Sequence, residues 1–251
     1  MSAEIYYEKI TGVLKKIKDT QMSQIQAAAN AMAASIGSGN RVYLFGSGHS
    51  VIPVMDVFPR YGSFVGFFPL YDPRLMWFNV IGPGGARELL WLERQEGYAS
   101  IFLKSYPLQP GDCMLVFSHG GLNAAPIEVA LESKKKGLMV IAVSSQANCQ
   151  TRTATHSSGK KLPDAADIVI DNCVEPEDSQ VDIGRLEKVA AGSTMASVFI
   201  AMSLVAETGA LLALRGFALD TFVSPNVPGA SKDHNMQVFE QHTRAFFSRQ
   251  F

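Results

Sequence analysis

None of the motifs that announce a common nucleotide or redox chemistry is present. The chain has no G-x-G-x-x-G turn, which excludes the dinucleotide fingerprint, and no lysine follows its glycine-bearing loops as in a P-loop. Its three cysteines, Cys113, Cys149 and Cys173, are too scattered for a C-x-x-C metal or redox pair. Their odd number, with two in or beside predicted strands, points to buried free thiols in a reducing cytoplasm. Charge is scarce too: 18% of the residues are Asp, Glu, Lys or Arg, and the net charge is −1. No global field of that kind draws nucleic acid or an anionic membrane. The longest basic run, Lys134-Lys135-Lys136, reads as the solvated end of a helix. The N-terminus carries Glu4 and Glu8 among helix-period apolar residues, which argues against a signal peptide. Repeats, low-complexity segments and interdomain linkers are also missing. One segment, residues 195–214, is apolar enough for a membrane, but Glu207, Thr208 and Gly209 interrupt it. Acids are costly in lipid, so a helix in a core or a subunit interface is the expectation.

What is present is a core-sized apolar content, 47% of 251 residues. Short continuous apolar runs at residues 42–45, 65–68, 112–117, 139–143 and 168–171 read as buried parallel strands. Between them lie helix-period segments at residues 52–61, 86–106 (broken at Gly97) and from Pro126 to Lys136. A long helical region occupies residues 3–37, with a break near Asp19-Thr20. The apolar helix starts about Ser193, and the tail, residues 222–251, ends in a short helix. Strands alternating with helices predict an α/β three-layer sandwich: a five-stranded parallel sheet of flavodoxin-like order 2-1-3-4-5 with helices on both faces. One domain over residues 1–251 is expected.

The first strand runs straight into Gly46-Ser47-Gly48-His49-Ser50, and the third into Ser118-His119-Gly120-Gly121-Leu122-Asn123. In that strand order, strands one and three adjoin where the winding reverses, and ligands sit outside the carboxyl ends of strands at such a point. Two Ser/Gly-rich loops, each leading to a helix N-terminus, therefore converge on one crevice suited to an anion.

With Gly46–Ser50 and residues 116–128, the stretches 155–162, 166–172 and 224–229 and the pair His234-Asn235 complete a pattern over nearly the whole chain. It resembles the sugar isomerase (SIS) domain proteins, in a branch related to phosphoheptose isomerase. The resemblance implies a phosphosugar or acidic sugar held by hydroxyls and loop amides, and homodimers or tetramers with active sites near subunit interfaces. The candidate substrate-binding residues are Gly46, Ser47, Gly48, Ser50, Arg60, Ser118, Gly120, Gly121, Asn123 and Ser193. The family's second loop usually reads Ser-x-Ser-Gly-x-Thr. Here Ser118 and Gly121 match, while Gly120 replaces the second serine and Asn123 the threonine.

Aldose–ketose isomerisation needs a base for the proton beside the carbonyl and a group that shuttles protons between O1 and O2. Asp56 lies near where phosphoheptose isomerases place a catalytic glutamate, with Arg60 an anion partner or simply its i,i+4 mate. Glu93 and Glu96 share a helix with Arg87 and Arg94 and either form exposed ion pairs or, for Glu93, act in catalysis. Glu207 is the lone acid of the apolar helix, a base or a partner of Arg215. The family carries a histidine near position 195, absent here, which leaves His49, His119, His156 and His234 as proton shuttles, the first two favoured by their loops. No cluster has metal-ligand spacing, so neither a metal nor another cofactor is expected. The leading expectation is a sugar-phosphate isomerase. A sugar-phosphate etherase or lyase, as in the muramic acid 6-phosphate branch, and a non-catalytic sugar-phosphate sensor are the alternatives.

Overall fold

Apolar runs at five places along the chain become the strands of a parallel sheet in order β2-β1-β3-β4-β5. These are β1 (Val42–Gly46), β2 (Phe67–Pro69), β3 (Cys113–Phe117), β4 (Met139–Ser144) and β5 (Ile168–Asp171). The computed structural model describes residues 1–76 and 85–249. Side chains alternate across the strands and feed two cores. Val42 and Leu44, with Leu115, Phe117 and Ile141, pack on one face against α1 (Ser2–Gly37), α2 (Val51–Val57) and α7 (Ser193–Leu214). Tyr43, Phe45, Met114 and Val116 pack on the other against α3 (Gly85–Leu92), α4 (Tyr98–Phe102) and α5 (Ala124–Lys135). The three-layer order read from the sequence is the one found.

Several boundaries differ, each for a local reason. The N-terminal helix is unbroken, because Thr20 turns its hydroxyl back to the Lys16 carbonyl at 2.7 Å and Asp19 pairs with Lys15. Helix α2 stops at Val57 rather than near residue 61: Phe58 is extended, and Pro59, joined by a cis bond, has no N–H to continue the ladder. Gly97 does break the next helical segment, in a left-handed conformation with φ 87°. Residues 144–159 contain a short helix, α6 (Gln146–Thr151), whose N-cap Ser145 accepts the Asn148 N–H at 3.1 Å. The loop before α7 holds an antiparallel pair, β6 (Ser179–Val181) and β7 (Val189–Ala191). The tail forms α8 (His234–Phe247), pinned where Asn235 bonds both backbone groups of Val223 at 2.9 Å.

Candidate active site between the two loops

Register brings the two loops together. Gly46 at the end of β1 lies opposite Phe117 at the end of β3, so both chains leave the sheet side by side. Gly46 is a steric necessity: a Cβ there would stand 2.1 Å from the Ser50 carbonyl oxygen. A 3-10 turn, Gly48–Ser50, then leads into α2, with Gly48 at φ 59° and His49 exposed.

The second loop is fastened from behind. Four successive carbonyls are taken by the segment that follows β4: Ser145 N–H donates to His119, the Asn148 amide to Gly120 at 2.7 Å, Leu162 N–H to Gly121 and the Thr155 hydroxyl to Leu122. The Ser118 hydroxyl accepts the Gly121 N–H at 3.2 Å, so it shapes the loop itself. Gly121 has φ 62°, and a Cβ there would lie 2.8 Å from Cys149 Sγ. At Gly120 a Cβ would meet only the Asn148 amide, at 3.7 Å. With the carbonyls turned back, the N–H groups of Leu122, Asn123 and Ala124 have no acceptor among the described residues.

Glu93 closes the gap between the loops. It follows α3, its side chain is buried, and its Oε2 accepts the Ser47 hydroxyl at 2.8 Å. Its own carbonyl accepts the N–H of Ala125, in the first turn of α5, at 3.0 Å. Burial pushes the carboxyl above the usual glutamate range, while Ser47, the Arg94 charge and the Asn123 amide pull the other way. Of the two alternatives for Glu93 and Glu96, exposed ion pairs with Arg87 or Arg94 are not found among the described residues. Glu96 instead accepts the N–H of Ser157 at 2.7 Å and the hydroxyl of the same residue.

Residues 5–145 match the SIS domain family. The UPF0309 protein of Oceanobacillus iheyensis is 37% identical over 238 residues, 94% of this chain and 95% of its own length. This chain belongs to the SIS domain family. The UPF0309 protein of Streptomyces coelicolor is 32% identical over 240 residues, covering 94% of this chain and 93% of its own. Among solved structures, the phosphoheptose isomerase of Neisseria gonorrhoeae superposes with a TM-score of 0.54 at 10% identity, over 83% of this chain and 97% of its own. That of Francisella tularensis gives 0.51 at 16% identity, over 81% and 94%. These two likenesses establish the shared SIS fold.

Within this SIS protein the remaining predicted residues are dispersed. Asp56 and Arg60 pair with each other at 2.5 Å and line a separate cavity of about 660 Å³ with Phe222 and Asn235. Glu207 accepts from Gln26 of α1 at 2.7 Å; it lies 14 residues into α7, roughly 20 Å from the helix start. His234 donates from Nε2 to the Thr221 carbonyl at 2.7 Å. Ser193, nearly buried, gives its N–H and hydroxyl to Asp178 at 2.7 and 2.9 Å. His119 is half-buried, and its Nδ1 accepts the Asn172 amide at 3.1 Å. Asn172 is oriented by Val174, whose N–H donates to its oxygen. Burial holds His119 below the usual imidazole range, against the nearby Asp178 and Asp171 charges. Sequence reasoning passed over Asn148, which ties loop to helix, and Asp178, which caps α7. It also passed over Arg152. An Asx or N-cap pattern is visible only once the turn is known.

Proposed function

We propose that this SIS protein is an aldose–ketose isomerase of a phosphorylated or otherwise acidic sugar, acting in the cytoplasm as a homodimer or larger assembly. Glu93 is the base that takes the proton from the carbon beside the carbonyl. The observation that carries this reading is the Glu93 carboxylate buried between Ser47 of the first loop and Asn123 of the second. Such a carboxylate is more basic than an exposed one, yet two polar neighbours keep its ionised form within reach at neutral pH. Leu122, Asn123 and Ala124, whose N–H groups are unpaired among the described residues, line a cavity beside Glu93 and supply donors for an oxyanion. His49, exposed on the first loop, moves the proton between O1 and O2. His119, fixed by Asn172, orders the second loop.

The test is incubation with a panel of sugar phosphates in deuterated water, read by NMR. Wild type is expected to place deuterium on the carbon beside the carbonyl and to form the isomer. Glu93→Gln is expected to slow this by about 100-fold or more, the usual weight of a positioned base. Exchange at the wild-type rate in that variant, or none by wild type with any sugar, would overturn the reading.

A further inference from the structure

An acidic sugar carries an anionic end as well as a reacting carbon, and the second loop has a bare glycine and an amide where hydroxyls would stand. A cavity of about 450 Å³ opens beside this loop, walled by Arg94, Arg152, Asn123, Glu96 and His156. It adjoins the base, because Arg94 follows Glu93 and Asn123, which lines the cavity, also reaches the Glu93 carboxyl. Each arginine is anchored to the loop through backbone. Arg94 is fixed by the Ala125 N–H on the carbonyl of its neighbour Glu93. Arg152 gives its N–H to the carbonyl of Asn148 at 3.1 Å, and the Asn148 amide holds Gly120. Both arginines line the cavity from segments bonded to the second loop.

Neither guanidinium has a hydrogen bond or ion pair with any described residue, although an acid shares the cavity. Glu96 accepts from the N–H and the hydroxyl of Ser157 and makes no ion pair with either arginine. The wall also holds an unsatisfied polar group. The His156 side chain is 7% exposed and its Nδ1 accepts the Ser158 N–H at 3.1 Å. Its proton therefore sits on Nε2, which is buried and makes no hydrogen bond, 3.8 Å from Glu96 and 3.7 Å from Glu128. Two guanidiniums without hydrogen bonds or ion pairs wall this cavity together with Leu122, Asn123 and Ala124, whose N–H groups are unpaired among the described residues, and these donors outnumber the single charge of Glu96 for an incoming oxyanion.

We propose that Arg94 and Arg152 bind the anionic group of the substrate, a phosphate or a carboxylate, and so replace the hydroxyls missing from the second loop. This rests on the crevice being the sugar site. The experiment is calorimetric titration of wild type, Arg94→Gln, Arg152→Gln, the double variant and the surface control Arg185→Gln. The probes are glucose 6-phosphate, gluconate, inorganic phosphate and neutral glucose. Each single variant is expected to bind the anionic sugar about tenfold more weakly and the double variant about 100-fold, with the control within about twofold of wild type. Glucose should bind wild type and double variant alike. Binding of the phosphate ester alone, or of gluconate too, decides which oxyanion the cavity takes. Both arginines are exposed, so melting temperatures should stay close to wild type. Unchanged affinity in the double variant, or no anion bound by wild type, overturns the assignment. Glu93→Gln, titrated beside these variants and assayed for deuterium exchange, separates the two readings. If it exchanges at the wild-type rate, the role of Glu93 as base fails while the arginine result stands. If the arginine variants bind normally, this inference fails whatever Glu93→Gln does.

Discussion

Glu93 is an ionisable group in a place that disfavours its charge, and that has a consequence for stability as well as for catalysis. Its pKa is raised in the folded chain, so the folded state holds this proton more firmly than the unfolded state, where glutamate titrates near 4.3. Stability must then fall as pH rises from about 4.3 through the raised folded value, and stay lower above it. Glu93→Gln lacks this loss. Thermal melts of both proteins from pH 4 to 7 should show the variant gaining on wild type with rising pH; a difference flat with pH would remove the buried-carboxylate argument. Ser47→Ala strips the hydroxyl that favours the ionised form, so the acid limb of the exchange rate should move to higher pH. The thiols behave alike for one reason, burial, which pushes Cys113 up to about 12 and raises Cys149 and Cys173. Ellman's reagent should find no reactive thiol in the native protein and three after unfolding. A fast native thiol would contradict this. At this scale the sequence named Glu93 but could not rank it, because its burial depends on α3 ending at Leu92 so that the next residue turns under Ser47. Arg94 and Arg152 are far apart in the chain, and only the fastening of the second loop brings them to one cavity.

Elements were legible where burial sets the pattern and illegible where a few side-chain bonds do. The five strands are continuous apolar runs with no competing reading. Helix α6 and the β6–β7 pair have no such run, and each exists because one side chain serves a backbone end. Asp178 is the clearest case. It takes the N–H groups of Gly192 and Ser193 and the Ser193 hydroxyl, from a left-handed backbone at φ 64°. That carboxylate occupies the N-terminus of α7, so this helix end is closed to a ligand and Ser193 is committed to the cap. Asp178→Ala should cost about 1–2 kcal/mol in urea denaturation, the usual range for a lost cap, with alanine also poorly suited to positive φ. Asp178→Asn keeps an acceptor and tolerates that conformation, so it should recover most of the loss. Equal effects of the two would mean that α7 needs no cap here.

For the whole molecule, the sheet order follows from strand–helix alternation, but the surface that the apolar helix meets does not. Helix α7 has a mean hydropathy of 1.9 over its central window, high enough to span a bilayer by composition, yet only 39% of that window is buried within one chain. Its inner face, with Ala196, Ile200 and Leu204, packs on α1 and the sheet. The rest is half-buried or exposed: Met195 is 48% exposed and Leu214 85%, while Ile52 and Met55 of α2 are 38% and 46% exposed. Asp56 and Arg60 lie among these groups, and a helix this apolar on its outer face normally meets another apolar surface. A second copy of the chain supplies one of identical composition, and the net charge of −1 opposes no such pairing. Light scattering at micromolar concentration should therefore give twice the chain mass or more. A charge placed in the centre of a desolvated interface is strongly unfavourable, so Met55→Glu with Met195→Glu should release folded monomers with unchanged circular dichroism. A monomeric wild type would leave the outer face of α7 without the partner assigned to it, and would place Asp56 and Arg60 in open solvent rather than at a subunit boundary.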